Sequence, residues 1–228
     1  MNCFILMGQS NMAGRGKLGD VPEIVNPNCY MWRHGAWQPM KEPLHQDSAS
    51  AGIGLGASFA DWLQKRSGAP IGLIPCAEGG TSLDDWQPGG EVYARTVAAA
   101  RAALEFGDCK GILWHQGEKD CRTPEQVDAY EDKLLYLFNS LFVELSTGRM
   151  HVVVGELGSF LLKQPEMRCV RELNQLLRLL PKAHPFIETV SAEFLGSDDG
   201  AHFNAGSLRE YGLRYAEGWL RCAKRMGT

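Results

Sequence analysis

The chain has 228 residues, a formal net charge of −4 and no run of basic residues. A length of this order suits one domain built on one core, and the charge balance excludes nucleic acid as an expected partner. No apolar stretch approaches the ~20 residues that a membrane helix needs, so no membrane partner is expected.

Residues 3–7 (CFILM) are apolar, with no Lys or Arg before them and no cleavage site after them. They read as a buried strand rather than a leader, although a processed chain that had lost its leader would read the same way. The seven cysteines include no C-x-x-C pair and read as reduced, mostly buried thiols, so a cytoplasmic location is expected. The strand ends in Gly8-Gln9-Ser10-Asn11, which delivers one serine onto a Gly-flanked turn. Residues 17–52 lack periodicity and contain Pro22, Pro27, Pro39 and Pro43. They are expected to be irregular: either a packed surface loop or, through Trp32, Arg33, His34 and Trp37, a wall or rim of a site.

Helical spacing begins at Gly52 to Gly56 and runs through Phe59, Trp62 and Leu63 to a stop at Ser67-Gly68. Residues 71–75 (IGLIP) form a short buried strand followed by a second Gly-rich turn, Glu78-Gly79-Gly80-Thr81. An Ala-rich helix over 91–106 precedes a third strand at 111–115, which ends in Gln116-Gly117-Glu118. Thr123 as N-cap and Pro124 in the first turn predict one long helix to about Thr147-Gly148. Residues 151–155 (HVVVG) are a fourth strand, 166–180 a helix stopped near Pro181, 186–190 a fifth strand and 207–226 the last helix. Alternating short strands and helices predict a three-layer α/β/α domain over residues 1–228, with a five-stranded parallel sheet covered on both faces.

In such a sheet the carboxyl ends of the strands share one edge, where ligands bind. Ser10, Gly80 and Gln116 therefore converge there, and the segment Asp198-Asp199-Gly200-Ala201-His202 precedes the last helix. A serine hydroxyl is inert near neutral pH unless a base takes its proton, and an imidazole titrating near ~6.5 can do so. A carboxylate on the other ring nitrogen fixes the tautomer. Asp199, three residues before His202, can share a turn with it; Asp198 is the rival. The oxyanion needs hydrogen-bond donors, and the candidates are Ser10 N–H, Gly80 N–H and the Gln116 side chain, with Gly79 an alternative to Gly80. Asn11 and Glu118 are expected to brace the first and third strand ends. Trp86 reads equally as a wall of the acyl or sugar pocket and as core, while His34, His45, His151 and His184 read as surface or loop residues. His115, Glu118, Asp120 and Cys121 lack a metal-ligand spacing, so neither metal nor cofactor is expected.

The four blocks G-Q-S-N-M-A-G, G-G-T, W-H-Q-G-E and D-x-x-H occur in order from one end of the chain to the other. Together they resemble the SGNH-hydrolase superfamily, and most of all its carbohydrate-esterase branch of sialate O-acetylesterase and family-six acetylxylan-esterase-like proteins. That resemblance implies the strand order 2-1-3-4-5 and a metal-free esterase with Ser10 as nucleophile, His202 as base and Asp199 as its partner. It also places Gln116 where the superfamily usually has an oxyanion-binding Asn. Lys119 departs from the small polar residue common in the branch, which puts the detail of the acyl or sugar pocket in question. The expected substrate is a small-molecule or oligosaccharide acyl ester, with O-acetyl first in line. The alternatives are a same-fold esterase or thioesterase for non-carbohydrate acyl groups, or a glycan-binding module without turnover.

Overall fold

In the computed structural model, which describes residues 1–227, the chain is organised around one seven-stranded sheet. Its central strand is β1 (Asn2–Gly8), in which every residue after Asn2 is buried. Cys3, Ile5 and Met7 pack on one face of the sheet, and Phe4 and Leu6 on the other. A strand that is apolar at every position needs cover on both sides, and this one has it.

The remaining strands are β2 (Cys29–Arg33), β3 (Ala36–Pro39), β4 (Ile71–Pro75), β5 (Asp108–His115), β6 (His151–Gly155) and β7 (Ile187–Val190). Their order is β3-β2-β4-β1-β5-β6-β7. All neighbouring pairs are parallel except β2 and β3, which form an antiparallel hairpin. The five strands expected from the sequence take the expected order, but the sheet has seven strands rather than five. The two extra strands come from residues 17–52, expected to be irregular. β3 is a short edge strand and β2 the short strand beside it, both with half-exposed positions, and such strands carry little apolar alternation. Trp32 and Trp37 pack edge to face across the hairpin, and Trp37 Nε1 donates to the Ala103 carbonyl at 3.3 Å.

The helices are α1 (Ser10–Ala13), α2 (Gly56–Ser67), α3 (Glu91–Leu104), α4 (Pro124–Asp128), α5 (Tyr130–Glu144), α6 (Val170–Ala183) and α7 (Ala205–Met226). One core joins α3, α5 and α6 through Val97, Leu137 and Leu173 to one face of the sheet. The other joins α2 and α7 through Phe59, Leu208 and Tyr215 to the opposite face.

Two helix expectations change. The long helix after Thr123 is divided at Ala129; its start carries the expected cap, a reciprocal box between Thr123 and Gln126. The next helix begins at Val170 rather than 166, and it continues past Pro181 to Ala183. Pro181 has no N–H to offer the Leu177 carbonyl four residues back. The Thr189 hydroxyl supplies the missing donor at 2.5 Å, so the helix tolerates the proline.

Candidate active site

β1 leaves the sheet through Gly8, whose φ is +128°. A Cβ at this position would lie 2.0 Å from the His115 carbonyl oxygen, so the β1 and β5 ends can meet only over a glycine. The Gln9 N–H then bonds that carbonyl at 2.9 Å, and Ser10 opens the single turn of α1. Its N–H is one of the first-turn donors that a helix leaves unpaired, and it has no acceptor among the described residues.

The Ser10 hydroxyl lies 3.1 Å from His202 Nε2, and His202 Nδ1 lies 2.7 Å from Asp199 Oδ2. A carboxylate only accepts hydrogen bonds, so the ring proton sits on Nδ1, and Nε2 is left as the acceptor for the serine proton. Asp199 Oδ1 accepts from the His202 N–H at 2.7 Å, the Ala201 N–H at 2.8 Å and the Ser197 hydroxyl at 3.1 Å. Partial burial works against its charge, but the hydrogen bonds from His202 and from these backbone amides outweigh it. The carboxyl is held well below the usual carboxylate range. Asp198 bonds Asn204 instead, at 3.3 Å.

Asn11 joins three elements. Its Nδ2 donates to Glu118 Oε1 at 2.6 Å and to the Ala201 carbonyl at 3.3 Å, while its Oδ1 accepts from the Phe203 N–H at 3.0 Å. The residues on either side of His202 are thus held by the side chain next to Ser10. Glu118 is buried, which opposes its charge, but His115 and Asn11 bring its net shift downward. As a carboxylate it must face the amide nitrogen of Asn11, which turns Oδ1 toward Phe203.

The second turn is fastened to the first strand by the Glu78 N–H, which donates to the Gly8 carbonyl at 2.9 Å. The Gly79 N–H is taken by Asp47 Oδ2 at 2.9 Å, and Asp47 also forms a buried ion pair with Arg15 at 2.5 Å. Gly80 has φ +76°, and its N–H has no acceptor among the described residues. Of the two glycines, Gly80 is therefore the one with a donor to spare.

Gln116 is arranged differently from expectation. It is 1% exposed, and its Nε2 faces Asp120 Oδ2 at 2.5 Å, the Thr81 carbonyl at 3.2 Å and Gln9 Oε1 at 3.4 Å. Its Oε1 accepts from the Tyr130 hydroxyl at 3.0 Å. Both amide hydrogens have partners, so Gln116 ties the third strand end to the Thr81 turn rather than offering a free hydrogen to an oxyanion. The residues that fix it, Asp120 and Tyr130, and the Arg15–Asp47 pair behind Gly79 were not anticipated. The only sequence signal was the placement of Asp120 four residues after Gln116.

Trp86 is fully buried, donates to the Thr81 hydroxyl at 2.9 Å and packs on Trp114, so it belongs to the core rather than to a pocket wall. His45 lies in a loop, one of the two places expected for it, and is buried there. Among the described residues no three His, Cys, Asp or Glu side chains gather as a metal-binding group.

This arrangement can move a proton from a hydroxyl to an imidazole beside two open backbone donors, which is the chemistry of acyl transfer. A family model described as carbohydrate esterase, sialic acid-specific acetylesterase, matches residues 1–221. A probable carbohydrate esterase of Arabidopsis thaliana is 28% identical over 242 residues, spanning 95% of this chain and 89% of that protein. The crystal structure of that Arabidopsis protein superposes with a TM-score of 0.86 at 26% identity, covering 96% of this chain and 97% of the other. The crystal structure of NanS shares the fold at 16% identity, with a TM-score of 0.76 and 97% of each chain covered.

Proposed function

Because the chain belongs to the sialic acid-specific acetylesterase family of carbohydrate esterases, and so is a carboxylic ester hydrolase, we propose that it removes small O-acyl groups, acetyl foremost, from carbohydrates through a serine acyl-enzyme. The observation that carries this reading is the continuous relay of Ser10, His202 and Asp199. Ser10 Oγ attacks the ester carbonyl as His202 Nε2 takes its proton. Asp199 holds the imidazole in the required tautomer and stabilises the imidazolium. The oxyanion is received by the N–H groups of Ser10 and Gly80. His202 then protonates the departing sugar oxygen, and water repeats the cycle on the acyl-enzyme with His202 again as base.

In this reading Gln116 acts indirectly. By holding the Thr81 carbonyl it fixes the turn that carries Gly80. A complete relay has no use in a silent glycan-binding module, which favours turnover. The test is hydrolysis of p-nitrophenyl acetate by Ser10→Ala. The expected loss in kcat is roughly 10³–10⁶-fold, by comparison with other serine hydrolases. Parent-like turnover by this variant would overturn the assignment.

A further inference from the structure

The hydrogen-bond donors around the end of β5 are fixed from two sides. On one side the Trp114 carbonyl can only accept, and the Tyr215 hydroxyl donates to it at 2.8 Å. The Tyr215 oxygen is then left as an acceptor, so His115 Nδ1, 3.2 Å away, carries a hydrogen. On the other side the Phe203 N–H can only donate. It turns Asn11 Oδ1 toward itself and Asn11 Nδ2 toward Glu118 Oε1, which must accept.

Between these fixed ends His115 Nε2 lies 3.7 Å from Glu118 Oε1, and both side chains are buried. Neither Nε2 nor Glu118 Oε2 has a hydrogen-bond partner among the described residues. A neutral ring protonated on Nδ1 would set the Nε2 lone pair against a carboxylate oxygen, acceptor against acceptor. A neutral ring protonated on Nε2 would need the Tyr215 proton, giving up the 2.8 Å bond for the 3.2 Å one. Either form leaves a buried carboxylate without a counter-charge, which is costly. Among the described residues no Lys or Arg pairs with Glu118. The other titratable groups around it are Tyr130 of α5, Tyr211 and Tyr215 of α7, and Cys121. Burial pushes all four up, Cys121 to about 12, so they are neutral near pH 7.

We infer that His115 is a buried imidazolium paired with the Glu118 carboxylate, and that it is a positioning residue for His202. A carboxyl group that held its own proton could donate to Asn11 Oδ1, and the amide could then turn round and release the Phe203 N–H. The ring charge keeps Glu118 an acceptor at both oxygens. Asn11 is thereby held one way round, clasping the Ala201 carbonyl and the Phe203 N–H on either side of His202. The bearing on turnover rests on the reading of His202 as base, whereas the charge of the ring does not.

The charge is read by ring-nitrogen NMR of the wild-type protein at about pH 8, where an ordinary histidine is neutral. With the His115 ring assigned through its backbone, both of its nitrogens are expected to be protonated. One unprotonated nitrogen would overturn the pair. A second measurement is urea unfolding of His115→Asn, which still offers an amide donor toward the Tyr215 oxygen but removes the cation. Its midpoint is expected to fall, and Glu118→Gln added to it is expected to raise the midpoint again by removing the stranded charge. An equal effect of Glu118→Gln with and without His115 would overturn the pair. On p-nitrophenyl acetate, kcat of His115→Asn is expected to fall roughly tenfold or more with KM little changed. That loss should persist in the double variant, because a glutamine donates as well as accepts and does not fix Asn11. An unaltered kcat in folded His115→Asn would overturn the positioning role. Absence of turnover by the wild type on every ester would instead remove the esterase reading, while the spectrum would still decide the charge of the ring.

Discussion

Asp199 stays ionised throughout the range in which an imidazole titrates, because the His202 ring and two backbone amides hold its carboxyl so far down. As the proposed base, His202 must be neutral to accept the Ser10 proton, so kcat/KM is expected to fall as the pH falls. Because Asp199 is already charged and one proton on the His202 ring is enough to block the step, the expected acid limb has a slope of one. A flat limb down to about pH 4 would count against His202 as the base. Asp199→Asn should lower kcat by roughly 10²–10⁴-fold in the same assay, since the tautomer is no longer enforced. Asn11→Ala leaves the buried Phe203 N–H and the Glu118 carboxylate without this partner, at a cost of ~1–3 kcal/mol each. Both Tm and kcat should drop while the acid limb keeps its shape; an altered limb would mean that Asn11 takes part in the proton transfer. Ser10, His202 and Asp199 were legible because their spacing forms blocks. The partners of Gln116 were not, since Asp120, Thr81 and Tyr130 meet it only after three strand ends and a helix have come together.

The central strands were legible because burial on both faces demands unbroken apolar runs, as in residues 3–7 and 152–154. The β2–β3 hairpin was not, because an edge pair needs neither an apolar run nor a strict alternation. Pro181 misled for a related reason. A proline near the end of a helix is tolerated more easily when another donor satisfies the carbonyl it strands, and here that donor comes from β7. Thr189→Val keeps the shape of that residue and removes the donor. The expected cost is about 1–3 kcal/mol, read as a lower midpoint in urea unfolding with an unchanged slope. An unchanged midpoint would mean that the Leu177 carbonyl finds another partner.

The molecule as a whole keeps its thiols out of reaction. All seven cysteines are free; burial pushes Cys3 up to about 11 and Cys29, Cys76, Cys109 and Cys121 up to about 12. Thiolate is scarce at each of these five positions near pH 8. Iodoacetamide at that pH should therefore leave esterase turnover intact, whereas a serine-directed fluorophosphonate should abolish it. Rapid inactivation by iodoacetamide would point to a cysteine at the reacting centre.

The Asn11 clamp also bears on how the site comes into being during synthesis. It fastens residue 11 to residues 201 and 203, and the strand that carries Ser10 finds its neighbours only in later segments on either side. Ser10, the proposed nucleophile, precedes His202 by 192 residues, so it is made long before its proposed base and the residues that Asn11 clamps. No shortened chain ending before His202 can hold the relay, and during refolding the return of turnover should coincide with the final long-range step rather than with early helix formation. Hydrolysis in this protein thus doubles as a report that residues 201–203 have closed onto the turn that follows β1.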